Sequence, residues 1–288
     1  MEIDFSIIIP TVRNPQGLIR LLESLRTVNG SDRSEILLIE NPPSFSISAL
    51  VQQFSDLNVQ YFTCQAGVNR ARNMGLEKAR GKFLLFLDDD CWISDPDLLL
   101  RHARSHEENP WAFAVGGFYR NSEDSDLARA YDEIQREWLL KNRLQTRGDC
   151  QVLLGGHFSI KKDRSHFRFD EAILYGGAET EYFFRLASQG HRFLLISAFV
   201  EHSPHLTPAG LAKKAFLQGR THRRLLQEGI FPESKWIYHP TEPLNPYRKL
   251  YEKSFRASSL KPQTPAWWTR LQDWHQKICF YLENRELF

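Results

Sequence analysis

Gly67–Asp90, GVNRARNMGLEKARGKFLLFLDDD, is the stretch that decides the fold. Val68, Ala71, Gly75, Leu76 and Ala79 recur at helical spacing, so one face of a helix can pack on a sheet. Gly81 follows the last periodic residue and is expected to end that helix in the left-handed conformation, which disfavours a Cβ. Phe83-Leu84-Leu85-Phe86-Leu87 then shows no polar alternation. Such a run predicts a strand buried on both faces, as in parallel sheets covered by helices. Asp88, Asp89 and Asp90 arrive at its C-terminal end, the edge where open α/β sheets bind ligands. Side chains alternate along a strand, so Asp88 and Asp90 share one side and Asp89 faces the other. Three adjacent carboxylates repel one another, and a divalent cation on Asp88 and Asp90 would offset that. The plain alternative is a solvated acidic turn in which Asp89 or Asp90 caps the next helix.

Working outward, the same alternation repeats upstream. Phe5–Pro10 reads as a strand, and Leu18, Leu21, Leu22, Leu25 and Val28 as one face of a helix stopped by Gly30. Ile36–Ile39 is a second buried strand, Ile47–Phe54 a short helix, and Val59–Phe62 a third strand. Strand and helix in turn predict a mostly parallel sheet of Rossmann-like type, although no glycine-rich dinucleotide or Walker loop is present. Downstream, Asp95-Pro96 starts a helix, Ala112–Phe118 is a strand and Leu127–Leu144 a long charged helix. Val152–Ile160 is expected as a strand whose Gly155-Gly156 pair lets a backbone or ligand approach closely, with His157 beside it in a candidate pocket wall. A helix runs on from Gly176-Gly177-Ala178-Glu179-Thr180-Glu181 to Gly190, and Phe193–Ile196 is a further strand.

The remaining features bound the class. The chain has 288 residues, 42% hydrophobic and 25% charged, with a net charge of +2 that offers no footing for nucleic acid. Cys64, Cys91, Cys150 and Cys279 are scattered without metal-ligand spacing, so reduced thiols and a cytoplasmic location are expected. No secretory signal and no span of roughly 20 apolar residues is evident. Lys213, Lys214, Arg220, Arg223 and Arg224 make a basic helix, read as a solvated face or as a patch for anionic lipid or a phosphate-linked acceptor. Prolines crowd the chain from Pro232. Thr264-Pro265 then opens a helix with Trp267, Trp268, Leu271, Trp274, Ile278, Tyr281 and Leu282 on one stripe. That stripe is expected to pack on the domain, on a second copy, or on the inner face of a membrane.

FSIIIPTVRN, the Gly67–Asp90 stretch and FDEAILYGGAETEYFFRLASQGHRF together resemble the inverting glycosyltransferases of family 2, over roughly residues 5–225. The resemblance implies a GT-A fold, with a catalytic domain at 1–230 and a C-terminal helical extension at 231–288. It implies transfer of a sugar from a nucleotide-diphosphate donor, a UDP-sugar first among them, to a hydroxyl of a glycan or lipid-linked acceptor, with Mn²⁺ or Mg²⁺. Carried over position by position, Asp88 and Asp90 fall on the metal- and diphosphate-binding motif, with Asp89 between them on the donor side. Glu179 falls on the family's catalytic base and would accept the acceptor's proton. Gly177 would let the loop bring that carboxylate close.

Glu181 matches the family's second glutamate and falls in the acceptor pocket, or simply pairs with Arg185 four residues on. His202, with His205 as second choice, would complete the metal site. Thr11 and Arg13 lie where the family's first loop meets the nucleotide. Arg72 and Asn73 match its ARN motif. Two departures stand out: Ala178 replaces a glutamate, and Glu40-Asn41 replace aspartates near the donor's base. They keep open an inactive binding subunit as the alternative, beside a nucleotidyltransferase.

Overall fold

The computed structural model describes residues 3–230 except Arg13, 43–44, Asp124, 143–148 and 174–175, together with Lys253. The expected C-terminal helix over Thr264–Leu282 lies outside the described residues.

The described elements, in chain order, are β1 (Phe5–Thr11), α1 (Pro15–Leu25), β2 (Ser34–Glu40), α2 (Phe45–Val51), β3 (Val59–Thr63), α3 (Val68–Lys78), β4 (Phe83–Leu87), β5 (Cys91–Trp92), α4 (Leu98–Glu108), β6 (Ala114–Asn121), α5 (Asp126–Lys141), β7 (Asp149–Cys150), β8 (His157–Lys161), α6 (Ala178–Ser188), β9 (Phe193–His202) and α7 (Pro208–Gln227). The strands form one sheet in the order β3-β2-β1-β4-β8-β6-β9-β5, with β7 paired to β9. β3, β2, β1 and β4 are parallel throughout. Beyond β4 the sheet is mixed: β8 runs antiparallel to β4 and β6, β9 is parallel to β6, and β5 and β7 are antiparallel to β9.

The unbroken apolar strands are buried on both faces, and successive residues separate cleanly. Ile8, Leu37, Ile39, Leu84 and Phe86 pack with Ala71 and Leu76 of α3 and with α6. Ile7, Ile9, Ile36, Leu38, Leu85 and Leu87 pack with α1, α2 and α4. A period of two on a sheet with helices on each side gives two cores from one run of sequence.

Four local expectations are corrected. Gly81 is not left-handed. A Cβ there would meet the carbonyl carbon of Phe5 and the amide of Ser6 at 2.5 Å, so glycine is required by backbone crossing backbone. The helix after Pro96 begins two residues later, behind Asp97. The 152–160 run is a strand only from His157, because Gly155-Gly156 form a turn in which the His157 amide donates to the Leu154 carbonyl at 3.2 Å. β9 extends past Ile196 to His202, paired with β6 across a register shift near Gly116. Among the described residues no helix is long and apolar enough to cross a membrane.

Candidate active site

The C-terminal ends of β1, β2 and β4, the turn before β8, the N-terminus of α6 and the facing sides of α5 and α7 enclose a cleft of about 510 Å³. Asn41, Arg72, Asp88, Asp89, Asp90, Gly155, Gly177, Glu179 and His202 all line it.

The three aspartates divide as strand alternation requires. Asp89 turns toward the β1–α1 loop, where its Oδ2 accepts from Thr11 Oγ1 at 2.6 Å and from the Val12 amide at 3.2 Å. Asn14, the N-cap of α1, donates to it as well. Burial and the charge of Asp90 still push Asp89 up to about 7. Asp88 meets Arg72 at 3.3 Å. Burial, then Asp90 and Glu179, raise its pKa in spite of that arginine. Asp90 Oδ2 lies 3.5 Å from His202 Nε2. Burial opposes its charge, but His202 and Lys214 outweigh that and lower its pKa.

His202 is buried at the end of β9, stacked on Tyr119 with ring centroids 4.1 Å apart. Its Nδ1 lies 2.7 Å from Asp132 Oδ1, and Asn121 Nδ2 donates to Asp132 Oδ2 at 3.0 Å. Burial alone would lower this histidine; Asp90 and Asp132 instead lift it to about 10. With one ring nitrogen toward Asp90 and the other on Asp132, the protonated ring supplies the positive charge between the two carboxylates. A carboxylate oxygen of Asp90 and Nε2 of His202, with the Asp88 carboxylate lining the same cleft, are donors suited to a divalent metal.

Arg72 is buried to 3% exposure. Its Nη2 donates to the Gly155 carbonyl at 3.1 Å, while Nε and Nη1 have no partner among the described residues. Buried guanidinium donors are costly to leave unmade, and this residue forms part of the cleft wall. Glu179 sits in the first turn of α6 behind Gly177, whose φ of 84° favours glycine. Glu179 makes no hydrogen bond or ion pair among the described residues.

Several predicted residues are placed elsewhere. Glu181 does not face the cleft; it is buried against Arg185 with a 2.5 Å bond. Asn73 points away from the cleft, tying α3 to the Phe169 backbone and to Glu171. His157 is fully buried, bonded to the Phe118 carbonyl and to His102, because the turn at 155–156 rotates its side chain beneath the sheet's end. Gly156 lies behind Asp88, where a Cβ would collide with that carboxylate. Thr11 is committed to Asp89 and Glu40 is buried against Tyr61, which leaves Asn41, just past the end of β2, in the cleft wall. His205 is exposed and pairs with Glu123. Arg13 lies outside the described residues.

Sequence reasoning missed Asp132 and Tyr119, which orient His202. It also missed Tyr131, Gln135 and Trp138, one face of α5 that lines the cleft. Their i, i+4, i+7 spacing was visible, but nothing local marks which face of a charged helix turns inward. Of the basic helix, read as a solvated face or as a patch for lipid or a phosphate-linked acceptor, Lys213 and Lys214 line the cleft, while Arg224 pairs with Asp170 and Glu228.

A curled mixed sheet with flanking helices and an acidic cleft at its strand ends is the architecture of the GT-A glycosyltransferases. The mannosyltransferase PcManGT from Pyrobaculum calidifontis, solved with GDP-Man and Mn²⁺, superposes with a TM-score of 0.60 at 14% identity, over 100% of this chain and 83% of that one. S. aureus TarS 1–349 gives 0.55 at 16% identity, over 75% of this chain and 64% of that one. The chain belongs to glycosyl transferase family 2, whose family model matches residues 6–165, and it is a transferase enzyme. It is 29% identical over 244 residues to the succinoglycan biosynthesis protein ExoM of Rhizobium meliloti (strain 1021), covering 76% of this chain and 74% of that protein. Family membership sets the nucleotidyltransferase alternative aside.

Proposed function

We propose that this enzyme moves a sugar from a nucleoside diphosphate donor, a UDP-sugar first among candidates, to a hydroxyl of a glycan or lipid-linked acceptor, with inversion and with Mn²⁺ or Mg²⁺. The observation that carries the reading is the contrast between two glutamates of α6. Glu181 is spent on Arg185, whereas Glu179 stands uncommitted in the cleft beside Asp88.

Asp90, His202 and Asp88 would hold the cation. Bound there, it would neutralise the charge that develops on the leaving diphosphate. Arg72, in the cleft wall and 3.3 Å from Asp88, would place a fixed positive charge beside the diphosphate. Asn41, with Pro10, Val12 and Val68, lines the side of the cleft where the base would lie. Glu179 accepts the proton of the acceptor hydroxyl as that oxygen attacks the anomeric carbon. Attack on the face opposite the departing diphosphate inverts the centre in a single displacement, so one carboxylate base suffices. The names of the similar proteins support this: TarS has been solved with UDP-GlcNAc and PcManGT with GDP-Man and Mn²⁺, and ExoM is a succinoglycan biosynthesis protein. In this reading residues 1–230 are the catalytic unit, and residues 231–288 are an appendage that meets the domain, a second copy or the inner face of a membrane.

Thermal unfolding against UDP, GDP, CDP and dTDP, each with Mn²⁺ and with EDTA, tests the proposal. A ligand at a hundred times its Kd stabilises the fold by about 2.7 kcal/mol. The expected result is a rise in Tm with UDP that disappears in EDTA. No shift with any nucleotide would sink the donor reading.

A further inference from the structure

Asp90 is followed at once by a cysteine, and that thiol lies inside the proposed metal centre. We propose that Asp90, Cys91 and His202 form a sulfur-containing metal site that takes Zn²⁺, Cd²⁺ or Co²⁺ more tightly than Mn²⁺ or Mg²⁺. The inference rests on the metal reading above and adds a donor to it.

Cys91 and His202 are directly opposed in the antiparallel pairing of β5 with β9. Opposed residues of an antiparallel pair project from the same face, with Cβ atoms about 4.5–5.5 Å apart. One donor atom from each of Asp90, Cys91 and His202 falls within 4.8 Å of the others. Asp90 bridges the pair: its Oδ2 is 3.5 Å from His202 Nε2, and its Oδ1 is 3.7 Å from Cys91 Sγ. A tetrahedral ion with metal–oxygen and metal–nitrogen bonds of about 2.0–2.1 Å and a metal–sulfur bond of about 2.3 Å spaces its ligands roughly 3.3–3.6 Å apart. The trio, within 4.8 Å, needs only a modest contraction to reach that spacing around an ion.

His202 Nδ1 is engaged by Asp132, which directs Nε2 at the ion, the outer carboxylate arrangement common to zinc-bound histidines. Three protein donors leave a fourth position for water or a diphosphate oxygen. The donors also sort the metals. A hard ion gains little from sulfur and is served by Asp88, Asp90 and His202. A softer ion gains the thiolate. Cys91 ligates as a thiolate, so each soft ion bound at neutral pH releases its S–H proton to solvent, with no change of oxidation state.

Co²⁺ titration of the full chain reads this directly, through the near-ultraviolet charge-transfer absorption of a cobalt–thiolate bond. Mn²⁺ binding, followed by electron paramagnetic resonance, runs in parallel. The wild type is expected to show the band. Cys91→Ser and Cys91→Ala are expected to lose it, and with it at least the roughly 10–100-fold in Co²⁺ affinity that even an outer-shell loss costs. Mn²⁺ binding, supplied by oxygen and nitrogen donors, persists in both variants. The alanine variant keeps a small apolar side chain in the core should serine disturb folding. Co²⁺ binding without the band in the wild type, or with the band intact in Cys91→Ala, overturns the thiolate while leaving the Mn²⁺ site standing. Failure of both ions to bind overturns the metal reading itself.

Discussion

Glu179 and Glu181 are two residues apart, about 200° around a helix of 3.6 residues per turn, and so they meet opposite environments. Glu179 faces the cleft and Glu181 faces Arg185. Glu179→Gln is expected to cut turnover by about 10²–10⁴-fold, the range for loss of a general base, while the metal-dependent Tm shift with nucleotide survives. Glu181→Ala should instead lower stability by about 1–3 kcal/mol, because it strips a buried charge-assisted bond, and should leave residual folded enzyme active. Equal turnover losses in the two variants would contradict the assignment of the base. Asp132 acts through its neighbour. Without it, His202 is free to rotate about its ring, and Asp132→Ala is expected to weaken Mn²⁺ binding by about 10–100-fold. Calorimetric titration with Mn²⁺ reads that change without any acceptor in hand.

At the scale of elements, the glycine after α3 shows how a correct landmark can carry a different reason. Gly81 does mark the end of the helix–strand connection. What forbids a side chain is the backbone of β1 at Phe5 and Ser6, crossing within 2.5 Å of where a Cβ would sit. The same crossing is closed by the Ser6 hydroxyl, which accepts from the amides of Arg80 and Gly81 at 3.1 and 2.8 Å and donates to Glu35 at 2.6 Å. Gly81→Ala must push backbone from backbone, which costs about 1–3 kcal/mol as an overpacked core does. Urea unfolding should show that loss as a lower midpoint with an unchanged slope; a midpoint equal to wild type would remove the steric argument. Gly155-Gly156 were equally visible as a close approach. That they end a turn, and bury His157 instead of exposing it, depends on β8 docking between β4 and β6.

The whole molecule carries a further consequence of that docking. His157, His102, Ser159 and His106 form one buried hydrogen-bonded chain between α4 and the sheet. Burial pushes His157 down to about 4 and His106 to about 3, and holds His102 well below its ordinary value; burial also lowers His222 to about 4. In the unfolded chain these groups titrate near 6.5. Above that pH neither state binds their protons and they do not affect stability. Below it the unfolded chain takes up protons that the fold refuses, so stability falls as pH drops from about 6.5 toward 4. Each such histidine contributes up to about 1.4 kcal/mol per pH unit. Asp89, whose carboxyl is pushed up to about 7, gains stability over the same window and opposes this loss, so the histidine effect is read as a difference: His106→Gln is expected to lose less Tm than wild type between about pH 6.5 and 4.5. Parallel profiles for wild type and His106→Gln would show that the chain opens to water.

What the sequence by itself determined is the part written in local periodicity. The apolar runs of β1, β2 and β4, the helical stripes of α1 and α3, and the aspartates at the end of β4 follow from burial on two faces and from side-chain alternation, which need only neighbouring residues. The motif resemblance reached the family and singled out Glu179, Asp88, Asp90 and His202 on the same footing. Tertiary structure alone decided which of those side chains share a space. Asp132 meets His202 across 70 residues of chain, Tyr119 stacks on that same ring, and Cys91 meets His202 only because β5 adds to the far edge of the sheet. Those contacts depend on strand order, on the register shift in β6–β9 and on which face of a charged helix is turned inward. All three are set by packing of the whole chain and leave no mark on any short stretch of it.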